Sequence, residues 1–192
     1  MMMSPRLRKF ALTTHVTASV GWMGAVIAFL PLAIVVLTSQ DSQTVHSSYL
    51  AMDLISRYII VPLSFAALLT GMASSLFTPW GLFRYYWVLV KLLINVIAIL
   101  VLQNYMNTLS LLVSVATKTT LSGADLLGLR APTSVAHAGG ALLFLLVATG
   151  LSVYKPRGMT QYGWQKQQEQ RKASMVVDTT APVSDKAKVP IV

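Results

Sequence analysis

Four stretches of this chain carry no Asp, Glu, Lys or Arg: Phe10 to Gln40, Tyr58 to Phe83, Leu92 to Thr117, and Ala131 to Tyr154. Each is rich in Leu, Val, Ile, Ala and Phe. A helix rises about 1.5 Å per residue, so roughly 20 apolar residues cross a bilayer core of about 30 Å. The pattern predicts an all-α fold, a polytopic transmembrane bundle of four helices. Its spans are expected at about residues 10–38, 55–77, 83–106 and 133–154 of a transmembrane domain covering 10–154. Pro31 is expected to bend the first helix, and Pro62 removes one backbone donor from the second. Asp53 and Arg57, spaced i, i+4 at the head of the second helix, are placed to pair. Thr78-Pro79-Trp80-Gly81 reads as a turn, and Trp80, Tyr85, Tyr86 and Trp87 as an interfacial aromatic belt. Ser122 and Asp125 have capping-box spacing, which predicts a short helix outside the membrane before the fourth span.

Composition agrees with lipid as the solvent. Hydrophobic residues make up 55% of the chain and charged residues 11%, with a mean hydropathy of +0.64. Soluble domains carry about 25% charged residues, enough to cover a core that this chain could not cover. The absence of cysteine removes disulfides, thiolate metal sites and thiol nucleophiles. The net charge of +9 does not point to nucleic acid, because the basic residues flank apolar spans and form no continuous stripe.

Those flanks predict orientation. Arg6, Arg8 and Lys9 precede the first span in a basic segment, residues 1–9. Arg84 sits between the second and third spans, and Lys155, Arg157, Lys166, Arg171 and Lys172 follow the fourth. The remaining connections hold Asp41, Asp53, Arg57, Lys118, Asp125 and Arg130, which balance in sign. The positive-inside rule then predicts that both termini face the cytoplasm. The first apolar run exceeds a signal-peptide core of 7–15 residues, so it is expected to stay as an anchor. Residues 155–172 are basic and aromatic, with Tyr162 and Trp164, and suit anionic lipid headgroups. The small, polar tail at 173–192 is expected to be disordered.

Ionisable and amide groups in membrane helices need partners. His15, Lys91 and Asn95 would meet near the inner surface if the first and third spans pack together. Arg57, His137, Gln103 and Asn104 would form an outer layer. Two readings fit these layers. In one, His, Asn and Gln hold helices together while Lys and Arg snorkel to the nearest surface. In the other, the layers line a path for an ion, proton or small solute. A b-type haem needs two His at one depth. His15 and His137 lie about 15–20 Å apart along the normal. His46 and His137 are therefore the one pair that could share an iron, and no cofactor or metal is the expectation. Gly-x-Ser-x-Gly, P-loop and His-Glu-x-x-His motifs are missing, as are paired carboxylates, so no enzymatic activity is expected.

Thr14-His15-Val16 leading to Gly21-Trp22-Met23-Gly24, the Arg57-to-Gly71 stretch, Trp87 with Lys91, His137-Ala-Gly-Gly140, Tyr154-Lys-Pro-Arg-Gly158 and Tyr162-Gly-Trp together resemble a bacterial family of small predicted integral membrane proteins of unknown function. The likeness covers about Lys9 to Arg171. Arg57, Thr70, Gly71 and Lys91 are similar, more weakly, to the membrane domain of copper-resistance protein D, where an Arg-started helix with a Thr-Gly step precedes a Lys-bearing helix. This chain lacks the copper-ligand cluster which that resemblance would imply. The leading expectation is a non-enzymatic membrane interaction or accessory subunit, self-associating through small-residue faces or binding another membrane protein. The alternative is small-solute, ion or metal transport, or a haem-binding redox module, using His15 and Lys91 inside and Arg57 and His137 outside.

Overall fold

The computed structural model describes residues 4–76, 83–118, 123–156 and 158–180. The described residues form an all-helical fold. Its elements are α1 (Pro5–Thr38), α2 (Ser42–Ile55), a π-helical turn (Ser56–Ile60), α3 (Val61–Leu76), α4 (Tyr86–Ala116), α5 (Gly123–Leu129), α6 (Thr133–Tyr154) and α7 (Gln161–Thr180). Among the described residues, four helical stretches are long and apolar enough to cross a membrane: Arg6–Thr38, Ser42–Leu76, Tyr86–Ala116 and Gly123–Tyr154. The turn expected at Thr78–Gly81 and the capping Ser122 lie outside the described residues.

The helices exceed their predicted spans. The second begins at Ser42 instead of near residue 55, and the third runs ten residues past 106 to Ala116. Polar residues in the extension of α4 satisfy their hydroxyls on carbonyls one turn back: Ser110 Oγ donates to Met106 O at 2.8 Å and Thr117 Oγ1 to Val113 O at 3.0 Å. Pro31 leaves α1 unbroken. Pro62 acts differently. It has no N–H for the carbonyl of Tyr58, and its ring crowds that carbonyl. The backbone widens just before it, with Val61 N–H reaching Ser56 O five residues back.

Asp41 starts α2. Its Oδ2 accepts from Thr44 N at 2.9 Å and Thr44 Oγ1 at 2.6 Å, and its Oδ1 from Gln43 N at 3.3 Å. The Thr44 hydroxyl, then the Thr44 and Gln43 amides, hold this carboxyl below its ordinary value. A depressed value in the fold means that the cap stabilises α2 above the usual carboxylate range and fails as pH falls through the lowered value. The amide signals of Gln43 and Thr44 are expected to titrate with a midpoint below the ordinary carboxylate value. Asp41→Asn should retain the cap and abolish that titration.

The spans alternate in direction. α1 packs against α2, α3 and α6, and α4 packs against the same three helices. α1 and α4 therefore occupy one diagonal of the bundle and touch across its centre only through long side chains. The core is built on each helix at spacings of three and four, as Ala18, Trp22, Ala25, Phe29, Ala33 and Val36 show on α1. We call the end holding the start of α1 the near end. At the far end, Tyr49 Oη donates to Leu129 O at 2.6 Å and fastens α5 to α2.

After α6, Lys155 turns the chain with a left-handed φ of 42°. Met159 then bridges to Tyr85, and Thr160 Oγ1 bonds Phe83 O at 2.5 Å. These contacts seat α7 against the segment before α4. α7 continues to Thr180, so residues 173–180 are helical where composition predicts disorder. The run Gln165-Lys-Gln-Gln-Glu-Gln-Arg-Lys-Ala173 consists of good helix formers and carries the helix forward. Residues 181–192 lie outside the described residues.

Candidate functional site

The near end of the bundle interior holds a polar knot made by three helices. His15 lies on the buried stripe of α1, two turns before Trp22. Its ring packs on Gly71 of α3: a Cβ at position 71 would stand 2.9 Å from His15 Cε1. Only a residue without a side chain admits the imidazole here. His15 Nδ1 lies 3.0 Å from Ala67 O and 3.2 Å from Thr70 Oγ1, and Nε2 lies 3.4 Å from Lys91 Nζ.

These partners determine which nitrogen carries the proton. A backbone carbonyl only accepts, so Nδ1 must donate. Thr70 gives its own hydroxyl proton to Ala66 O at 2.5 Å, which leaves its lone pairs free to share that donation. Nε2 then presents a lone pair, and Lys91, which has only donors, fills it. Asn95, one turn beyond Lys91 on the same face of α4, is buried beside the knot's helices. Ser74, one turn beyond Thr70, has a buried hydroxyl with no hydrogen-bond partner.

The second constellation lies farther along the bundle. The Tyr105 ring stacks on His137 of α6 with centroids 4.5 Å apart and planes 26° from parallel. Phe29 meets the same tyrosine edge-on at 6.2 Å. Tyr105 Oη donates to Ser134 Oγ at 2.9 Å. His137 Nδ1 is 2.8 Å from Thr133 O, again a carbonyl, so Nδ1 donates and Nε2 is left as a bare acceptor.

The second constellation borders a cavity of about 230 Å³. Trp22, Val26 and Phe29 line it from α1, Ser56 from the π-turn, and Tyr105 and His137 from α4 and α6. The wide turn before Pro62 supplies the Ser56 wall. Val101, Ala136 and Phe144 also line the cavity and are exposed. Its mouth is therefore lateral, between α4 and α6, and opens on the bundle's outer surface.

The structure separates the other predicted site residues. Arg57 points away from the cavity. Its Nε donates to both oxygens of Asp53 at 2.8 and 2.9 Å and its Nη2 to Ser110 Oγ at 2.8 Å, which ties the π-turn to α4. Gln103 and Asn104 are exposed on the outside of α4 and take no part in the polar layer with His137. His46 bonds Ala116 O at 2.8 Å. Ala116 and Tyr105, the respective neighbours of His46 and His137, are separated by eleven residues of α4, or about 16 Å. The two imidazoles do not converge on one iron. Among the described residues, no three His, Asp or Glu side chains come together.

Sequence reasoning missed Tyr105, Ser56 and the cavity. A signal was present for the first: Lys91, Asn95, Ala98, Leu102 and Tyr105 fall on one stripe of α4, and all five border the knot or the cavity. No family model, curated protein or solved structure matches this chain.

Proposed function

We propose that the protein is a non-enzymatic, multi-pass binding protein of the cell membrane that takes an apolar molecule from the lipid phase into the cavity between α1, the π-turn, α4 and α6. The observation that carries this reading is the lateral mouth, whose exposed wall residues would face lipid and not water. Lys91 and Ser110, the latter bonded to Arg57, are nineteen residues apart on α4, about 28 Å. That interval is close to the thickness of a hydrocarbon core, about 30 Å, and the cavity lies within it. The basic residues of the near end favour the cytoplasmic side for it, with the far end outside. The volume exceeds the roughly 150 Å³ apolar void known to take up benzene. His137 Nε2 is the polar recognition group, so the ligand carries one hydroxyl or N–H on an otherwise apolar body. Thr70, Gly71 and Lys91, which carry part of the resemblance to bacterial membrane proteins, build the near-end knot that holds α1, α3 and α4 in register. The stripe from Lys91 to Tyr105 favours a second reading, a small-solute path, which flux into proteoliposomes would reveal.

Trp22 reports on the cavity from its wall. With Trp80, Trp87 and Trp164 changed to Phe, a brominated aliphatic alcohol in lipid nanodiscs is expected to quench Trp22 saturably. Ala98→Phe, which fills the cavity, should remove saturation. His137→Leu should weaken the alcohol about fivefold, the worth of one hydrogen bond near 1 kcal/mol, and leave the matching bromoalkane unaffected. Quenching that rises linearly and equally in all variants would sink the proposal.

A further inference from the structure

The outward face of α4 carries polar groups with nothing to bond. Gln103, Asn104 and Asn107 are all exposed, and none makes a hydrogen bond among the described residues. They lie on the side of α4 opposite the stripe that borders the cavity. Counted from Ser110, Asn107 is about 4.5 Å, Asn104 about 9 Å and Gln103 about 10 Å toward the bilayer centre. Asn107 is close enough to reach headgroups. Gln103 and Asn104 are two turns deep, facing hydrocarbon, where an unsatisfied amide is costly.

The neighbours of these amides form a seam. Leu93, Val96, Leu100, Gln103 and Asn107 follow one another at a and d spacings of a heptad and all are exposed, and the seam ends at Ser110, which Arg57 holds. Leu93 is 59% and Leu100 64% exposed. Asn107 takes an a position of this seam and Gln103 the d position before it, and a single polar residue at an a position specifies register and oligomer state.

We propose that this face is the dimer interface of the protein and that its occupant is α4 of a second copy. Two features select a second copy over another protein. All copies share one orientation in the membrane, so a two-fold axis along the normal sets α4 parallel to its mate with equal residues at equal depth. An amide carries both a donor and an acceptor, so each of these side chains complements its own symmetry mate. The seam lies on the opposite side of α4 from the cavity stripe, so both cavities of a dimer keep their mouths open.

The chain contains no cysteine, so single cysteines can be placed at will. In native membranes, Leu93→Cys and Leu100→Cys are expected to give a dimer band with a short bis-maleimide. Leu143→Cys and Leu146→Cys, exposed on α6, should stay monomeric. Adding Gln103→Leu, Asn104→Leu and Asn107→Leu to Leu100→Cys should cut the crosslinked fraction at least tenfold. Those leucines face lipid, so the melting temperature of the detergent-solubilised monomer should not fall. The proposal is overturned if the α6 cysteines crosslink and the α4 cysteines do not. It is equally overturned if Leu100→Cys joins a different protein, or if the triple leucine variant crosslinks as before.

Discussion

Gly71→Ala is expected to expel the His15 ring and destabilise the bundle by about 1–3 kcal/mol, the cost of leaving buried polar groups unpaired. The added Cβ would stand 2.9 Å from Cε1 and 3.3 Å from Nδ1. A free side-chain end would swing aside from such a contact. This ring is held at both nitrogens, so moving it breaks the bonds to Ala67 and Thr70 on one side and to Lys91 on the other. The knot joins three helices, so α1, α3 and α4 all lose a tie at the same depth. His15→Ala should cost a comparable amount alone and almost nothing extra when combined with Gly71→Ala, because one interaction cannot be lost twice. Denaturant unfolding of the parent and the three variants in mild detergent gives the coupling energy. Nitrogen NMR of the imidazole should show the proton on Nδ1 in the parent protein only. Additive losses, or an unchanged imidazole signal in Gly71→Ala, would contradict the packing of His15 on Gly71.

Gly163→Ala is expected to release α7 while the four long helices stay folded. Here the added Cβ would fall 2.5 Å from Arg84 O and 3.3 Å from Arg84 C, which are backbone atoms and cannot rotate away. Relief requires α7 to move off the segment before α4. That movement breaks Thr160 N to Arg84 O at 3.1 Å and Thr160 Oγ1 to Phe83 O. It also disturbs the bond from Gly163 N to Thr160 Oγ1 at 3.1 Å. Two or three bonds worth about 1 kcal/mol each raise the opened fraction of α7 more than tenfold. Trypsin should then cut at Lys166 and Arg171 at least ten times faster, with the rest of the chain still protected. Equal cleavage rates in the two proteins would show that α7 does not depend on this contact.

The two glycines differ in how much of their role the sequence reveals. In the sequence Gly71 stands out only as half of a Thr-Gly step. Its neighbour proves to be an imidazole fifty-six positions away, and no local pattern could name it. Gly163 sat in a stretch read as a lipid anchor, and its close approach to Arg84 follows from the bridge between Tyr85 and Met159. The inner trio was partly legible. Lys91 and Asn95 share a face by spacing alone, while the arrival of His15 required α1 and α4 to occupy one diagonal. The outer layer was misread for a physical reason. Gln103 and His137 lie at similar depths while Arg57, bonded to Ser110, sits about 10 Å farther out than Gln103, and depth along a helix says nothing about the direction a residue faces.

Charge-free runs, basic flanks and turn residues depend on one chain meeting one solvent, so four apolar helices and their polar inventory could be read from the residues alone. The direction each helix turns its faces could not. In water, periodicity marks the buried side, because one face must be polar. In lipid both sides of a helix are apolar, and a face against a neighbour reads like a face against an acyl chain. Only the packed bundle decided that His15 meets Lys91, that Ser56 and His137 border a cavity, and that the amides of α4 look outward.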